Sequence, residues 1–173
     1  YHRKFRTLDL NKENAKIALL SCANYKKADP QETMCDRLVQ SQADVIFFLG
    51  DLVYANSSLN TLLGTAATPE EAYQAYCKTI LEIDLYKADV LIPIFGIHDD
   101  HDLGKNNSDD SIKNKEIMLK MFRSFFPVDT RIGEVQIGPG NSFAIECFGM
   151  LAVFFDTRSF KNKKKDHYLG PEQ

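Results

Sequence analysis

The sequence predicts an α/β protein built around a mainly parallel sheet. Three short, continuously apolar runs alternate with segments in which apolar residues recur at helical spacing. Strands without polar interruptions are typical of parallel sheets with both faces covered, because half-exposed strands alternate polar and apolar residues. The 173 residues are enough for one domain with a substantial hydrophobic core.

The first strand–helix unit begins with a strand at residues 16–20, which ends before Ser21 and Cys22. For the helix that follows, Asp29 is the predicted N-cap, Pro30 the first helical residue and Glu32 the partner in a capping box. Residues at helical spacing form its apolar face: Met34, Cys35, Leu38 and Val39.

The second unit repeats this order. A buried strand is predicted at residues 44–49, and it ends at Gly50 and Asp51. A long loop of small residues leads to Thr68 and Pro69, where two glutamates complete a second helix-start signature. The helical period then continues through Tyr73, Tyr76, Cys77, Ile80 and Leu81.

The third unit has a strand at residues 90–95, a polar loop at 104–110 and a helix with the apolar face Ile117, Met118, Met121, Phe122 and Phe125. The pattern then changes. Two apolar runs, at residues 143–147 and 151–155, are separated by Phe148, Gly149 and Met150, which predicts a β-hairpin. We therefore expect antiparallel strands beside the parallel sheet.

Composition and charge limit the classes of partner that we expect for the protein. A net charge of −3 gives no sign of a polyanion-binding surface, so we expect no nucleic acid as a bulk partner. No apolar run approaches the ~20 residues of a membrane-spanning helix, so no transmembrane segment is predicted. The four cysteines lie far apart and form no disulfide framework. The oligomeric state is left open.

Titratable residues follow the predicted strands. The run 98–102 places three carboxylates and two imidazoles in five consecutive positions, directly after the third strand. Such a run is either a solvated acidic loop or a cation site, since like charges repel unless a cation binds them. Cys22 and Asp51 follow the first two strands, and parallel strands bring these ends to one edge of the sheet. This convergence favours a metal site.

The residue types indicate which ions would bind. Cys22, Asp51 and Tyr54 would offer a thiolate, a carboxylate and a phenolate, a set that suits a trivalent ion such as Fe³⁺. A second, divalent ion would share a carboxylate and be completed by Asp100. Two ions roughly 3.5–4 Å apart clamp the attacking and leaving oxygens of a phosphoryl displacement. In the alternative interpretation, Cys22 and Tyr54 are core residues and Asp51 is a turn cap.

His101 lies between Asp100 and Asp102. A flanking carboxylate can fix the imidazole tautomer and keep the ring protonated near neutral pH. Such a ring can donate a proton to a leaving alkoxide. His101 and Asp102 are therefore the candidate catalytic residues, and an ordinary surface histidine is the alternative.

The chain resembles the PhoD-like alkaline phosphatase/phosphodiesterase branch of the calcineurin-like metallophosphatases. The resemblance rests on the order and spacing of six blocks: Phe5-Arg6-Thr7-Leu8, Ser21-Cys22, Gly50-Asp51-Leu52-Val53-Tyr54, Asp99-Asp100-His101-Asp102, Phe155-Asp156-Thr157-Arg158 and Leu169-Gly170-Pro171-Glu172-Gln173. It implies a four-layer α/β/β/α sandwich with an iron and a calcium ion, or another divalent ion, in the site.

The resemblance also implies roles for single residues. Asp51 would bridge the two metal ions, and Asp100 stands where related phosphatases place a ligand asparagine. Arg158 would contact phosphate or support the site, with a buried ion pair to Asp156 as the alternative. The implied metal ligands are Cys22, Asp51, Tyr54, Asp99 and Asp100, with Asp99 either a ligand or a support, and His101 is the implied catalytic residue.

The chain departs from the family pattern at two points. His98 stands where the family usually has tryptophan, and no Gly-Asp-x-His motif follows the hairpin. Residues 5–8 resemble the junction after an N-terminal β-sandwich domain. We therefore expect residues 1–10 to be the tail of an upstream region and residues 11–173 the N-terminal part of a catalytic domain whose sandwich is incomplete at the C-terminus. Family habit implies an extracytoplasmic location.

The leading hypothesis is metal-dependent hydrolysis of phosphate monoesters or diesters, in which a metal-activated hydroxide attacks phosphorus at a binuclear site. The alternative is a non-catalytic metal-binding or interaction fragment that retains the phosphatase-like fold. A third hypothesis, an α/β domain of the receiver type with an acidic Mg²⁺ pocket, predicts one ion and no role for Cys22 or Tyr54.

Overall fold

The computed structural model describes residues 2, 4–24, 28–56, 58–162, 164, 166–170 and 173, and has a mixed α/β fold. The strands are β1 (Lys4–Phe5), β2 (Ile17–Leu20), β3 (Val45–Leu49), β4 (Val90–Leu91), β5 (Ile94–Ile97), β6 (Val135–Gln136), β7 (Phe143–Cys147) and β8 (Met150–Phe154). The helices are α1 (Ala28–Ser41), α2 (Ser58–Leu63), α3 (Pro69–Glu82) and α4 (Lys115–Phe125). None of the helices described is long and apolar enough to cross a membrane.

The central sheet is parallel and has the order β2-β3-β5. Leu20 pairs with Phe48, and Leu49 pairs with Ile97, so the three strands end at the same edge. This arrangement confirms the predicted α/β class and the parallel pairing. A second sheet, β6-β7-β8, is antiparallel and contains the predicted hairpin.

The third predicted strand, residues 90–95, is divided in two. β4 pairs with the short N-terminal strand β1, whereas β5 pairs with β3 and continues to Ile97. Pro93 lies at the division, because proline has no N–H with which to continue a ladder. Its carbonyl still accepts a hydrogen bond from the backbone N–H of Ile46 at 2.9 Å.

Both faces of β3 are buried, against different layers. Ile46 and Phe48 belong to a core shared with the helices, whose buried members include Leu38, Ala72, Tyr76, Met118, Leu119 and Phe122. Val45 and Phe47 belong to a second core formed with the antiparallel sheet through Phe143, Ile145, Cys147 and Phe154. The central sheet is therefore covered by helices on one face and by a second sheet on the other.

This gives three layers, α/β/β, of the expected four-layer α/β/β/α sandwich. In the part of the chain that the structure describes, no helical layer covers the outer face of the antiparallel sheet, and Leu151 and Val153 of β8 are exposed there. The four-layer arrangement is thus not confirmed.

The hairpin turn is shorter than predicted. β8 begins at Met150, so Phe148 and Gly149 alone form the turn. Both have positive φ, 55° and 71°, as a two-residue type I′ turn requires. The sequence signal was the glycine, and it located the turn correctly to within one residue.

The helix signals differ in outcome. At α3, Thr68 Oγ1 accepts from the N–H of Glu71 at 3.2 Å, and Glu71 accepts from the N–H of Thr68 at 2.8 Å, which confirms the capping box. The predicted apolar face is only partly buried, because Tyr76 is in the core whereas Tyr73 and Leu81 are exposed.

α1 begins at Ala28, so the predicted N-cap residue lies inside the helix rather than before it. The side chains of Asp29, Pro30, Glu32 and Cys35 lie outside the described set, as do residues Pro171 and Glu172 of the last sequence block.

Residues 4–10 are joined to the rest of the fold. β1 pairs with β4, and the Arg6 guanidinium donates to the carbonyls of Gln42 and Ala43 at 2.8 and 2.7 Å. The carbonyl of Leu10 accepts from the N–H of Phe148 at 2.6 Å. Residues 4–10 therefore pack against the rest of the described fold, and the expected boundary after residue 10 stays a prediction.

Candidate metal centre

The ends of β2, β3 and β5 bring the expected residues to one edge of the central sheet. Cys22 follows β2, Asp51 follows β3, and residues 98–102 follow β5. Backbone hydrogen bonds hold the first two turns together, from Cys22 N to the Gly50 carbonyl at 3.1 Å and from Ala23 N to the Asp51 carbonyl at 2.9 Å. The predicted convergence of these strand ends is present.

Asp51, Asp100 and His101 form what we call the ligand cluster. One possible ligand atom from each lies within 4.8 Å of the other two. The Asp51 and Asp100 side chains are buried, and His101 is half-buried. Asp100 is oriented by a hydrogen bond from the N–H of Asn107, and Asp51 accepts from the N–H of His101 at 3.3 Å. Two carboxylates and an imidazole at this spacing fit a metal ion.

Electrostatics in the ligand cluster also favour a cation. Burial raises the pKa of Asp51, and the nearby charge of Asp100 raises it further. A carboxylate in such a place is costly to ionise without a positive charge beside it. A bound cation would supply that charge.

Cys22 and Tyr54 lie beside Asp51. The Cys22 thiol is 3.8 Å from Oδ2 of Asp51 and shares a side-chain hydrogen bond with Tyr54. Burial, followed by the charges of Asp51 and Cys22, raises the pKa of Tyr54 well above its ordinary value. The phenol is therefore neutral in the protein alone, and a phenolate ligand would need a cation to form. The three residues expected to hold iron are adjacent.

The backbone is unusual where these side chains project. Cys22 and Asp51 adopt left-handed φ angles of 59° and 56°, although neither is glycine. Such a conformation costs about 1–2 kcal/mol for each residue. Strained residues of this kind cluster at functional sites, where the surrounding structure compensates for them.

Asp102 is fully buried, and its carboxylate accepts three backbone hydrogen bonds. The donors are the N–H groups of Asp51 at 2.7 Å, Val53 at 2.8 Å and Asp99 at 2.8 Å. Burial raises the pKa of Asp102 to about 7, although the amides oppose the shift. Asp102 thus ties the loop after β3 to the loop after β5. Asp102 was expected to act beside the His101 imidazole. Instead, both of its carboxylate oxygens accept hydrogen bonds from these backbone amides.

Asn56 is the residue that contacts the imidazole, and the sequence analysis missed it. Its Oδ1 lies 2.6 Å from Nδ1 of His101. Because an amide oxygen only accepts hydrogen bonds, Nδ1 carries the proton and Nε2 is left for other partners. The Tyr54 ring stacks on His101 with ring centroids 4.3 Å apart. One feature of the sequence could have identified Asn56: it is a polar residue in the same short loop as Asp51 and Tyr54.

The Arg158 guanidinium forms an ion pair with the Asp99 carboxylate. Its Nε donates to Asp99 Oδ1, and its Nη2 lies 3.1 Å from Asp99 Oδ2 and 3.7 Å from Asp100 Oδ1. Nη1 is buried and has no hydrogen-bond partner within the described ranges. Asp99 is thus neutralised by Arg158 at the margin of the ligand cluster, and Arg158 reaches the cluster through Asp100.

His98 faces away from the ligand cluster, toward a buried network. Its Nε2 is 3.1 Å from Oδ1 of Asp156, and both side chains are fully buried. Burial alone would raise the pKa of Asp156, but hydrogen bonds from His98 and Ser159 outweigh it and hold the pKa below its usual value. Asp156 therefore has a buried side-chain partner, but that partner is His98 and not the Arg158 guanidinium that the sequence analysis allowed.

Comparisons with protein-family models, curated proteins and solved structures found no match to this chain.

Proposed function

We propose that the protein is a metal-dependent phosphoesterase that hydrolyses phosphate monoesters or diesters at the shared edge of β2, β3 and β5. The observation that carries this proposal is the ligand cluster, in which Asp51, Asp100 and His101 bring ligand atoms within 4.8 Å of one another. Cys22 and Tyr54 lie beside the same Asp51 carboxylate. A guanidinium near this edge adds the group that proteins use most for phosphate.

The donor chemistry fits two different cations that share Asp51. Asp51 and Asp100 offer carboxylate oxygens to a divalent ion such as Ca²⁺, whereas Cys22 and Tyr54 offer sulfur and phenolate oxygen to Fe³⁺. When bound, such cations supply Lewis acidity that activates water and offsets the charge of a phosphoryl group. The residues of the chain then have to orient the ester, transfer a proton and bind the phosphoryl oxygens.

His101 is the proposed proton donor. With Nδ1 held by Asn56, Nε2 is the nitrogen that can protonate the departing alkoxide. Donation from Nε2 needs the ring in its charged form. Stacking against Tyr54 fixes the plane of the ring.

Arg158 is the proposed phosphate contact. Its pairing with Asp99 holds the guanidinium at the margin of the ligand cluster, with Nη2 3.7 Å from Oδ1 of Asp100. A guanidinium binds phosphate oxygens in a planar, bidentate geometry that lysine does not match.

The test combines cation binding and turnover. Wild-type protein, Asp51→Asn and the control Glu146→Gln would be titrated with Fe³⁺ and Ca²⁺ by calorimetry, then assayed with 4-nitrophenyl phosphate and bis(4-nitrophenyl) phosphate. Glu146 is an exposed residue of β7, so its substitution controls for the loss of a carboxylate. We expect Asp51→Asn to lose at least about 100-fold in cation affinity and all turnover. Unchanged binding and activity in Asp51→Asn would contradict the proposal.

A second candidate function is a non-catalytic metal-binding module. It is favoured by one observation, namely that the proposed proton donor His101 is itself a member of the ligand cluster. A histidine nitrogen that ligates a metal ion cannot protonate a leaving group. This candidate predicts tight cation binding, lost in Asp51→Asn, without hydrolysis of either ester by the wild-type protein.

A further inference from the structure

An apolar groove opens between the two sheets beside the ligand cluster. Its volume is about 500 Å³. One wall comes from the central sheet and the other from β8 and the residues that follow it. The apolar lining includes Leu19, Phe47, Leu49, Ile97, Ala152 and Phe154. We call this space the inter-sheet groove.

Two of these side chains are unusually exposed for their type. The exposed fractions are 64% for Leu19 and 48% for Leu49. Single exposed apolar residues are common, but a contiguous set around a concave space marks a surface that binds something.

The polar residues that line the inter-sheet groove are His98, Asp99, Thr157 and Arg158, and all four follow the C-terminal ends of β5 and β8. Nη2 of Arg158 is 3.7 Å from Oδ1 of Asp100, which belongs to the ligand cluster. The groove therefore begins next to the position proposed for the phosphoryl group and continues away from it along apolar walls.

We propose that the inter-sheet groove is a substrate subsite that binds an alkyl or aryl group esterified to the phosphate. This proposal rests on the proposed phosphoesterase function. An ester of this class is anionic at one end and apolar at the other, which matches a cation site and a guanidinium at one end of an apolar groove. The volume lies within the range of small-molecule sites. A sugar or a polyol would leave its hydroxyl groups without hydrogen-bond partners along these walls.

The first experiment measures binding alone. Octyl phosphate and methyl phosphate are titrated calorimetrically into the cation-loaded protein. Burial of one methylene contributes about a fourfold gain in affinity. Because the groove is partly open to water, we expect octyl phosphate to bind at least about tenfold more tightly than methyl phosphate. Equal affinities would overturn the subsite.

Two variants locate the effect. Leu19→Asn and Ala152→Asn place an amide on opposite walls of the groove, and we expect each to reduce the octyl preference at least about threefold without changing methyl phosphate binding. The control is Leu62→Asn on α2, where an 82% exposed leucine lies outside the groove. An octyl preference that survives both groove variants would place the alkyl group elsewhere and overturn the proposal.

A turnover experiment separates this proposal from the one on which it rests. The substrates are the methyl and octyl diesters of 4-nitrophenyl phosphate, which share a leaving group. Hydrolysis of both at equal kcat/KM, with equal binding of the two phosphates, overturns the subsite and supports the phosphoesterase function. Selective octyl phosphate binding without hydrolysis supports the subsite and contradicts the function.

Light scattering identifies a competing occupant. If a second copy of the chain covered the groove, the wild-type protein would be a dimer that dissociates in Leu19→Asn, and octyl phosphate would bind no better than methyl phosphate. That combination overturns the proposal in favour of an interface.

Discussion

Asn56 accepts a hydrogen bond from Nδ1 of His101, which makes it the residue that decides which imidazole nitrogen is free. Removal of this acceptor by Asn56→Leu should allow the other tautomer and lower kcat by about 10–100-fold, the usual effect of losing such an outer partner. The ¹⁵N chemical shifts of the imidazole report the tautomer directly. An unchanged tautomer in Asn56→Leu would contradict this role, and Asn56→Asp, which keeps an acceptor oxygen, is the matched control.

His101→Gln distinguishes proton transfer from metal ligation. If Nε2 donates a proton, kcat should fall by about 10²–10⁴-fold. The cation affinity should then change by no more than a few-fold, since Asp51 and Asp100 remain. A calorimetric titration measures that affinity beside the assay. A large loss of affinity would instead identify His101 as a ligand and support the non-catalytic candidate.

Asp102 predicts a pH dependence of stability. Burial raises its pKa to about 7, whereas in the unfolded chain a carboxyl group titrates near 4. Between these values the folded state holds a proton that the unfolded state releases. The contribution of Asp102 to the free energy of unfolding is therefore fully present below about pH 4 and is lost as the pH rises to about 7.

Asp102→Asn should remove this slope. Urea unfolding of wild-type and variant proteins in the presence of a chelator, at intervals from pH 4 to pH 7, measures it. The stability of the wild type relative to the variant should fall as the pH rises. Parallel curves for the two proteins would show that Asp102 titrates normally.

At the scale of the elements, the end of β3 depends on a glycine. Gly50 has a φ of +90°, and a Cβ there would lie 2.5 Å from the Cβ of Asp99. Gly50→Ala should therefore destabilise the protein by at least about 3 kcal/mol, because strain and a backbone-linked clash combine. Gly64→Ala is the control, since Gly64 has a φ of +65° with nothing within 4 Å of an added Cβ. It should cost about 1 kcal/mol, and equal losses in urea unfolding would show that the contact with Asp99 is unimportant.

The elements also show how far local sequence information reaches. Thr68 and Glu71 predicted the start of α3 because both partners of the capping box lie within one turn. The division of residues 90–95 was missed, although Pro93 was visible, because its effect depends on which strand lies beside it. The buried face of α3 was only partly predicted, since Tyr73 and Leu81 have the right spacing but are exposed, Tyr73 even though its ring contacts Phe125 of α4.

At the scale of the whole molecule, cation binding should stabilise the fold, because the proposed ligands come from the ends of three different strands. A cation that binds only the folded state contributes about 2.7 kcal/mol at 100 times its Kd. Urea midpoints with and without Ca²⁺ and Fe³⁺ measure this effect. The increase should disappear in Asp51→Asn and persist in Glu146→Gln. An increase of equal size in all three proteins would place the binding elsewhere.

The sequence by itself determined the strand–helix order, the parallel pairing and the edge at which Cys22, Asp51 and Asp100 meet. Those features follow from local periodicity and from the rule that parallel strands end together. Only the tertiary structure decided the partners of the polar residues, namely Asn56 for His101, Asp99 for Arg158 and His98 for Asp156. These pairs join residues 45 and 59 positions apart in the first two cases, so they depend on how the loops meet. A buried polar group bonds whichever partner lies within reach, and chain spacing does not encode that distance.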